Sequence, residues 1–176
     1  SSIEEGLFLL IKPKNVNFVV GVTSFSVINW IAHSAYLSII IGSKRISNDF
    51  LFWSFETKAL MTIHGFEQLG LKRIYGSQNS KLIDWQKYSL LLGYYPEGIK
   101  RNAIKKGQKY YDLIEHACLY EDYLNIKKKN NNNFWLGKEK FLNLMKKFPK
   151  EDLYSKINKF NRQYINSYLN KINKKK

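Results

Sequence analysis

"LLLGYYPEGIKRNAIKKGQKYYDLIEHACLYEDYL", residues 90–124, carries three glycines, a proline and an internal aspartate, Asp112, between runs rich in aromatic and β-branched side chains. Two strands fit this pattern: YYPEGIKRNAIKK (94–106) and KYYDLIEHACLY (109–120), joined through Gly107 and Gln108 as a hairpin. Gly93 stands where a preceding short helix must turn into the first strand, and Gly98 reads as a bend or close approach inside it. The three glycines and Asp112 are therefore read as fold determinants, without chemistry of their own.

Working outward, LFLLIKPKN (7–15) reads as a strand ending in a Pro-Lys-Asn turn, and NFVVGVTSFSVI (17–28) as its hairpin partner, with Phe18, Val20, Val22 and Ser24 on one face. The polar stretch from Asn29 to His33 breaks the run before SAYLSIIIG (34–42), whose apolar end predicts a central strand. In SKRISNDFLFWSFETKALMTIHGFEQLG (43–70), Phe52, Phe55, Ala59, Ile63 and Phe66 recur at helical spacing. Ser47, Asn48 or Asp49 can cap that helix, and Gly70 can close it. LKRIYGSQN (71–79) follows as a strand expected to run parallel to the third, and LIDWQKYSLLLGY (82–94) as a short helix.

Beyond Leu124 the composition shifts to Lys and Asn. Residues 126–133, around KKKNNNN, read as a linker, and 134–176 as a basic, amphipathic helical extension to a domain spanning 1–125. The chain has 176 residues and a net charge of +15, unevenly spread. Residues 121–176 hold 15 Lys and Arg against 5 Asp and Glu, a net +10, which leaves +5 for the first 120. Such a tail makes nucleic acid a candidate partner through its lysines and interspersed aromatics.

The single Cys118 excludes an internal disulfide and any Cys-x-x-Cys pair, which fits a reducing, cytoplasmic setting. His33, His64 and His116 are too scattered to predict a metal site, and none is expected. Residues 15–43 lack Asp, Glu, Lys and Arg, yet their Ser, Thr, Asn and His content and β-branched enrichment favour strands over a membrane helix. The chain begins at Ser1 with no basic, signal-like leader, and the N-terminal part of the domain reads as truncated.

Strands, central helix, crossover strand, short helix and closing hairpin, in that order, resemble the GNAT N-acetyltransferases. The resemblance rests on ETKALMTIHGFEQLGLKRIY (56–75), LLLGYYPEGIKRN (90–102) and GQKYYDLIEHACLYEDY (107–123), and is strongest to the branch of ribosomal-protein N-terminal acetyltransferases and their small-molecule relatives. It implies an α/β fold with a mixed, mostly antiparallel sheet whose central parallel strand pair splays apart. It also implies acetyl-CoA as co-substrate and direct attack by a primary amine of a small molecule, an amino sugar or a protein N-terminus.

In such enzymes the gap between the splayed strands receives the pantetheine arm, and the diphosphate sits at the start of the central helix, where unpaired amides and the helix dipole suit an anion. Carried onto this chain, the resemblance assigns Ile39, Ile40, Ile41, Lys44, Arg45, Ile46, Ser47, Asn48 and Asn79 to cofactor binding. The usual thiolate-protonating tyrosine aligns with Ser89, so Ser89 and its neighbour Tyr88 are alternative proton donors, and Glu56 is a candidate base by residue type.

The chain departs from the family at the diphosphate loop, where Phe50 and Phe52 occupy the usual glycine positions. Either Ser47, Asn48 and Asp49 build a different cradle, or cofactor binding is lost and the fold serves as a non-catalytic interaction module. A dimer is compatible with the sequence, which does not specify the acyl acceptor.

Overall fold

Among the described residues, β-branched and aromatic runs separated by turn residues build six strands: β1 (Leu7–Ile11), β2 (Gly21–Asn29), β3 (Ser34–Ile41), β4 (Arg73–Asn79), β5 (Tyr95–Lys106) and β6 (Lys109–Leu119). The structure is a computed structural model and describes residues 6–14, 16–42 and 50–173. Its helices are α1 (Phe50–Glu67), α2 (Ile83–Ser89), α3 (Tyr120–Lys129), α4 (Lys138–Met145) and α5 (Leu153–Asn173). A 3-10 turn, Leu90–Leu92, extends α2.

The six strands form one sheet in the order β1-β2-β3-β4-β6-β5. Every neighbouring pair is antiparallel except β3 and β4, which run parallel because α1 carries the chain across between them. This is the mixed α/β sheet expected from the sequence. The β3–β4 pairing covers only Ser34–Arg73, Ala35–Ile74 and Tyr36–Tyr75, after which the two strands splay.

Glycine is required where α1 presses on the sheet and where α2 ends. A Cβ on Gly65 would come within 2.7 Å of Ile74 Cδ1 and 2.9 Å of Phe25 Cζ. Gly93 closes the 3-10 turn at φ 72°, and a side chain there would meet Ile126 and Cys118. Of the bend or close approach expected at Gly98, the structure shows an irregularity of the strand, a register shift between Pro96 and Gly98, with open space beside the glycine. Asp112 stabilises a second irregularity: its Oδ1 accepts the N–H of Asn102 at 2.8 Å, where β5 bulges through a residue at φ 51°.

The core lies between the sheet and α1, with Phe25, Ala35, Phe55, Ala59, Leu71, Ile74 and Cys118 fully buried. β2 turns Thr23 and Phe25 inward, so Val22 points outward, and Phe18 and Val20 precede the strand. The face expected from Phe18, Val20, Val22 and Ser24 is thus not one strand face, because the ladder begins only at Gly21. The opposite sheet face leaves the cross-strand row Leu10, Val22 and Ile40 exposed.

The C-terminal segment packs closely on this body. α3 runs to Lys129, through the first residues of the stretch read as a linker. Its Tyr123 hydroxyl and Lys127 ammonium both donate to Glu67 at the end of α1, holding that carboxyl below its ordinary range. Phe134 and Phe141 are buried in the main core, where Phe141 meets Phe55 at 5.3 Å between ring centres. Further on, α5 is docked through Tyr154, whose hydroxyl donates to Asp112 Oδ2 at 2.5 Å. Its later apolar residues, including Phe160, Tyr164, Tyr168 and Ile172, are exposed.

Candidate active site

Where β3 and β4 separate, the Tyr36 side chain spans the fork. Its hydroxyl accepts the Ser77 N–H at 3.1 Å and pairs with Ser77 Oγ at 2.7 Å, satisfying groups that the ladder no longer reaches. Beyond it opens a cleft of about 880 Å³ bounded by the ends of β3 and β4, the face of α1 and the start of α2. That volume is in the range of small-molecule sites.

Ile39, Ile40, Ile41 and Asn79 line this cleft, so the described part of the expected cofactor set is brought together. Lys44, Arg45, Ile46, Ser47 and Asn48 lie outside the described residues. Gln78 also faces the cleft, and its Oε1 is a buried acceptor lacking a hydrogen-bond partner, a placement suited to an amide N–H of a bound ligand.

At the inner end of the cleft stands Lys58, a residue the sequence reading passed over. It is only 2% exposed. Its Nζ donates to Ser89 Oγ at 2.9 Å, lies 3.2 Å from His116 Nε2 and sits 3.8 Å from the centre of the Tyr94 ring. Three elements converge here: α1 brings Lys58, α2 ends at Ser89, and the inward face of β6 presents His116 between Ile114 and Cys118.

Burial governs the protonation of this cluster. Desolvation by burial lowers Lys58 to about 7. Burial in turn pushes the Cys118 thiol up, so at neutral pH it is a neutral group that offers the ammonium no counter-charge. His116 is held well below its ordinary value, first by burial and then by Lys58, which leaves a neutral imidazole able to accept a hydrogen bond. Tyr94 is raised by burial, and its hydroxyl donates to Thr62 Oγ1, which itself donates to the Lys58 carbonyl.

The three residues singled out for catalysis fall in different places. Ser89 is 1% exposed and joins the cluster as an acceptor from Lys58. Tyr88, one residue earlier, turns away and packs edge-on against Phe55 and Phe148. Glu56 faces a separate groove of about 380 Å³ formed with β1, beside Trp53, Leu60 and His64. The three do not converge on one point. Phe52, where the sequence resemblance expects a glycine, packs its ring against Trp135 at 5.7 Å, with the Lys138 ammonium 5.3 Å from its centre.

A sequence signal for Lys58 did exist. It lies three residues after Phe55 and four before Thr62, on the stripe that α1 turns inward, and His116 alternates with Ile114 and Cys118 on a strand. Among the described residues no group of three or more His, Cys, Asp or Glu is placed to hold a metal, and no helix is long and apolar enough to cross a membrane.

No family model and no curated protein matches the chain by sequence. Solved structures do match its fold. A chimera of the Vibrio cholerae spermidine N-acetyltransferase SpeG and hSSAT superposes with a TM-score of 0.61 at 20% identity, covering 68% of this chain and 71% of that one. The Vibrio cholerae spermidine/spermine N-acetyltransferase SpeG in complex with manganese ions gives a TM-score of 0.59 at 20% identity, covering 68% of each chain. The chain therefore has the fold of the GNAT acetyltransferases.

Proposed function

We propose that the chain is an acetyl-CoA-dependent N-acetyltransferase acting on a primary amine of a small molecule. The observation that carries this reading is the cleft opened by the parting of β3 and β4 beyond Tyr36, in a fold shared with acetyltransferases. Ile39, Ile40 and Ile41 would flank the pantetheine arm, with Gln78 and Asn79 on the facing strand. Lys44 and Arg45, just ahead of α1, would meet the diphosphate. Bound acetyl-CoA supplies an acyl carbon activated as a thioester. The chain supplies the polar edge of β3 for the developing oxyanion, and groups at the inner end of the cleft to move protons.

Spermidine, for which the matched structures are named, is the first acceptor to try. A monoamine, an amino sugar and a peptide N-terminus complete the panel, the last because of the resemblance to the ribosomal-protein branch. Calorimetric titration with acetyl-CoA should give saturable binding that weakens in the Lys44→Ala, Arg45→Ala double variant. No heat and no thermal shift at millimolar acetyl-CoA would remove this reading.

A second reading is favoured by Phe52. Its ring is committed to Trp135 and Lys138 where the family has glycine, so the diphosphate cradle differs and the fold would act as a non-catalytic interaction module. The same titration separates the two readings, since a module of that kind has no need of acetyl-CoA.

A further inference from the structure

We propose that Lys58 is the proton carrier of the cleft, held by Ser89 and His116 so that its amine takes a proton from the attacking nucleophile and returns it to the departing sulfur. The proposal rests on the acetyl-transfer reading above and adds to it a residue that the family pattern does not place.

The geometry comes first. Lys58 is buried, faces the cleft and has two fixed partners, Ser89 Oγ and His116 Nε2. An ammonium has three N–H donors. Two are directed to those partners and the third is the one free to leave, with the Tyr94 ring face beside the nitrogen to support the charged form while it lasts. Ser89 stands where the family usually has its proton-donating tyrosine, so Lys58 reaches that position through the hydroxyl it contacts.

The groups facing Lys58 from every packed element support a carrier with two accessible states. α2 contributes the uncharged Ser89 and Trp85, and β6 contributes a neutral His116 and a protonated Cys118. The loop into β5 contributes Tyr94, also protonated. No full negative charge from these groups locks the ammonium, and burial brings its titration down to about 7, where a group can both accept and donate. As the amine nitrogen bonds to the acyl carbon, its proton passes to neutral Lys58 Nζ. As the carbon–sulfur bond breaks, the same proton passes to sulfur, leaving amide, thiol and neutral lysine. No oxidant or outside base is consumed.

The test compares wild type with Lys58→Met, which keeps length and removes the amine, and Lys58→Arg, which keeps donors but cannot release a proton near neutrality. In the unliganded wild type, NMR of carbon-13-labelled lysine should show one resonance titrating near 7 that Lys58→Met abolishes. Acetyl-CoA binding by calorimetry should persist in both variants. Transfer to the best acceptor of the panel should fall roughly a hundredfold or more, and the wild-type pH–rate inflection near 7 should disappear.

A Lys58 resonance that titrates with ordinary lysines overturns the proposal, as does a Lys58→Met enzyme with wild-type rate and pH profile. Failure of wild type to bind acetyl-CoA overturns the transfer reading itself and the carrier role with it. Binding with undiminished transfer in Lys58→Met overturns the carrier role alone.

Discussion

The Tyr36 hydroxyl on β3 accepts the backbone N–H of Ser77 on β4 at 3.1 Å while pairing with that residue's Oγ at 2.7 Å, so one side chain bridges the point at which the two parallel strands part. A ladder would leave no cleft, and an unbridged fork would leave a half-buried amide without a protein partner. Tyr36→Phe should therefore cost about 0.5–1.5 kcal/mol, the net worth of an ordinary hydrogen bond. Ser77→Ala should cost less, because the hydroxyl still accepts the amide. Urea unfolding of both variants checks this, and equal losses would place the stabilising contact between the two hydroxyls instead.

Lys58 makes stability depend on pH in a direction opposite to that of an ordinary paired lysine. The folded-state amine titrates at about 7 against 10.5 for the free side chain, so between those values the unfolded chain binds the extra proton. Stability from this group is fully present above about 10.5 and declines as pH falls toward 7, by on the order of 4–5 kcal/mol. Lys58→Met removes the penalty. The variant's stability advantage over wild type should be largest near pH 7 and shrink steadily toward pH 10 in paired denaturation curves. Parallel curves across that range would mean that the amine is not buried in its neutral form.

The succession of strands and helices, the hairpin about Gly107, the parallel pairing of β3 with β4 and the turn at Gly93 were legible because each leaves a mark in the sequence: a period-two run, a turn glycine or a helical stripe. Lys58 left only its place on the inward stripe of α1, an easily missed mark because a lysine on a helix normally reaches water, and contacts from α2 and β6, 31 and 58 residues away, are what bury it. In the segment after Leu124 the amphipathic helices were legible but their packing was not, because Phe134 and Phe141 acquire their meaning only beside Tyr123 and Phe55.

Asp112 joins two structures with one carboxylate, accepting the Asn102 N–H through Oδ1 and the Tyr154 hydroxyl through Oδ2. The Tyr154 bond is the larger influence holding that carboxyl below its usual 3.8, followed by the Asn102 bond. A depressed carboxyl stabilises the fold above its unfolded value and loses that contribution as pH falls through the folded one. Tyr154→Phe should cost about 1 kcal/mol and speed hydrogen exchange in α5 while leaving β5 and β6 protected. Asp112→Ala should also loosen the bulge at Asn102, so exchange there should rise as well. If both variants changed only α5, the bulge would not depend on the carboxylate.

The segment from Phe134 to Phe148 behaves as part of the body in its packing, and this sets the outcome of truncation. Phe141 is 2% exposed between Phe55 and Trp135, and Phe134 is 4% exposed against Tyr123. Phe148 closes on Tyr88 at the other end of the same aromatic layer. Ending the chain at residue 125 would uncover Phe55 in the first half of α1 and strip cover from the helix that carries Lys58 into the cleft. Phe141→Ala should cost about 3–5 kcal/mol, the usual price of emptying a buried phenylalanine site. The fragment 1–125 should lack a cooperative urea transition, whereas removal of residues after 158, past the Tyr154 contact, should leave most of the stability in place. A fragment 1–125 as stable as the full chain would show that the aromatic layer rests on the domain without supporting it.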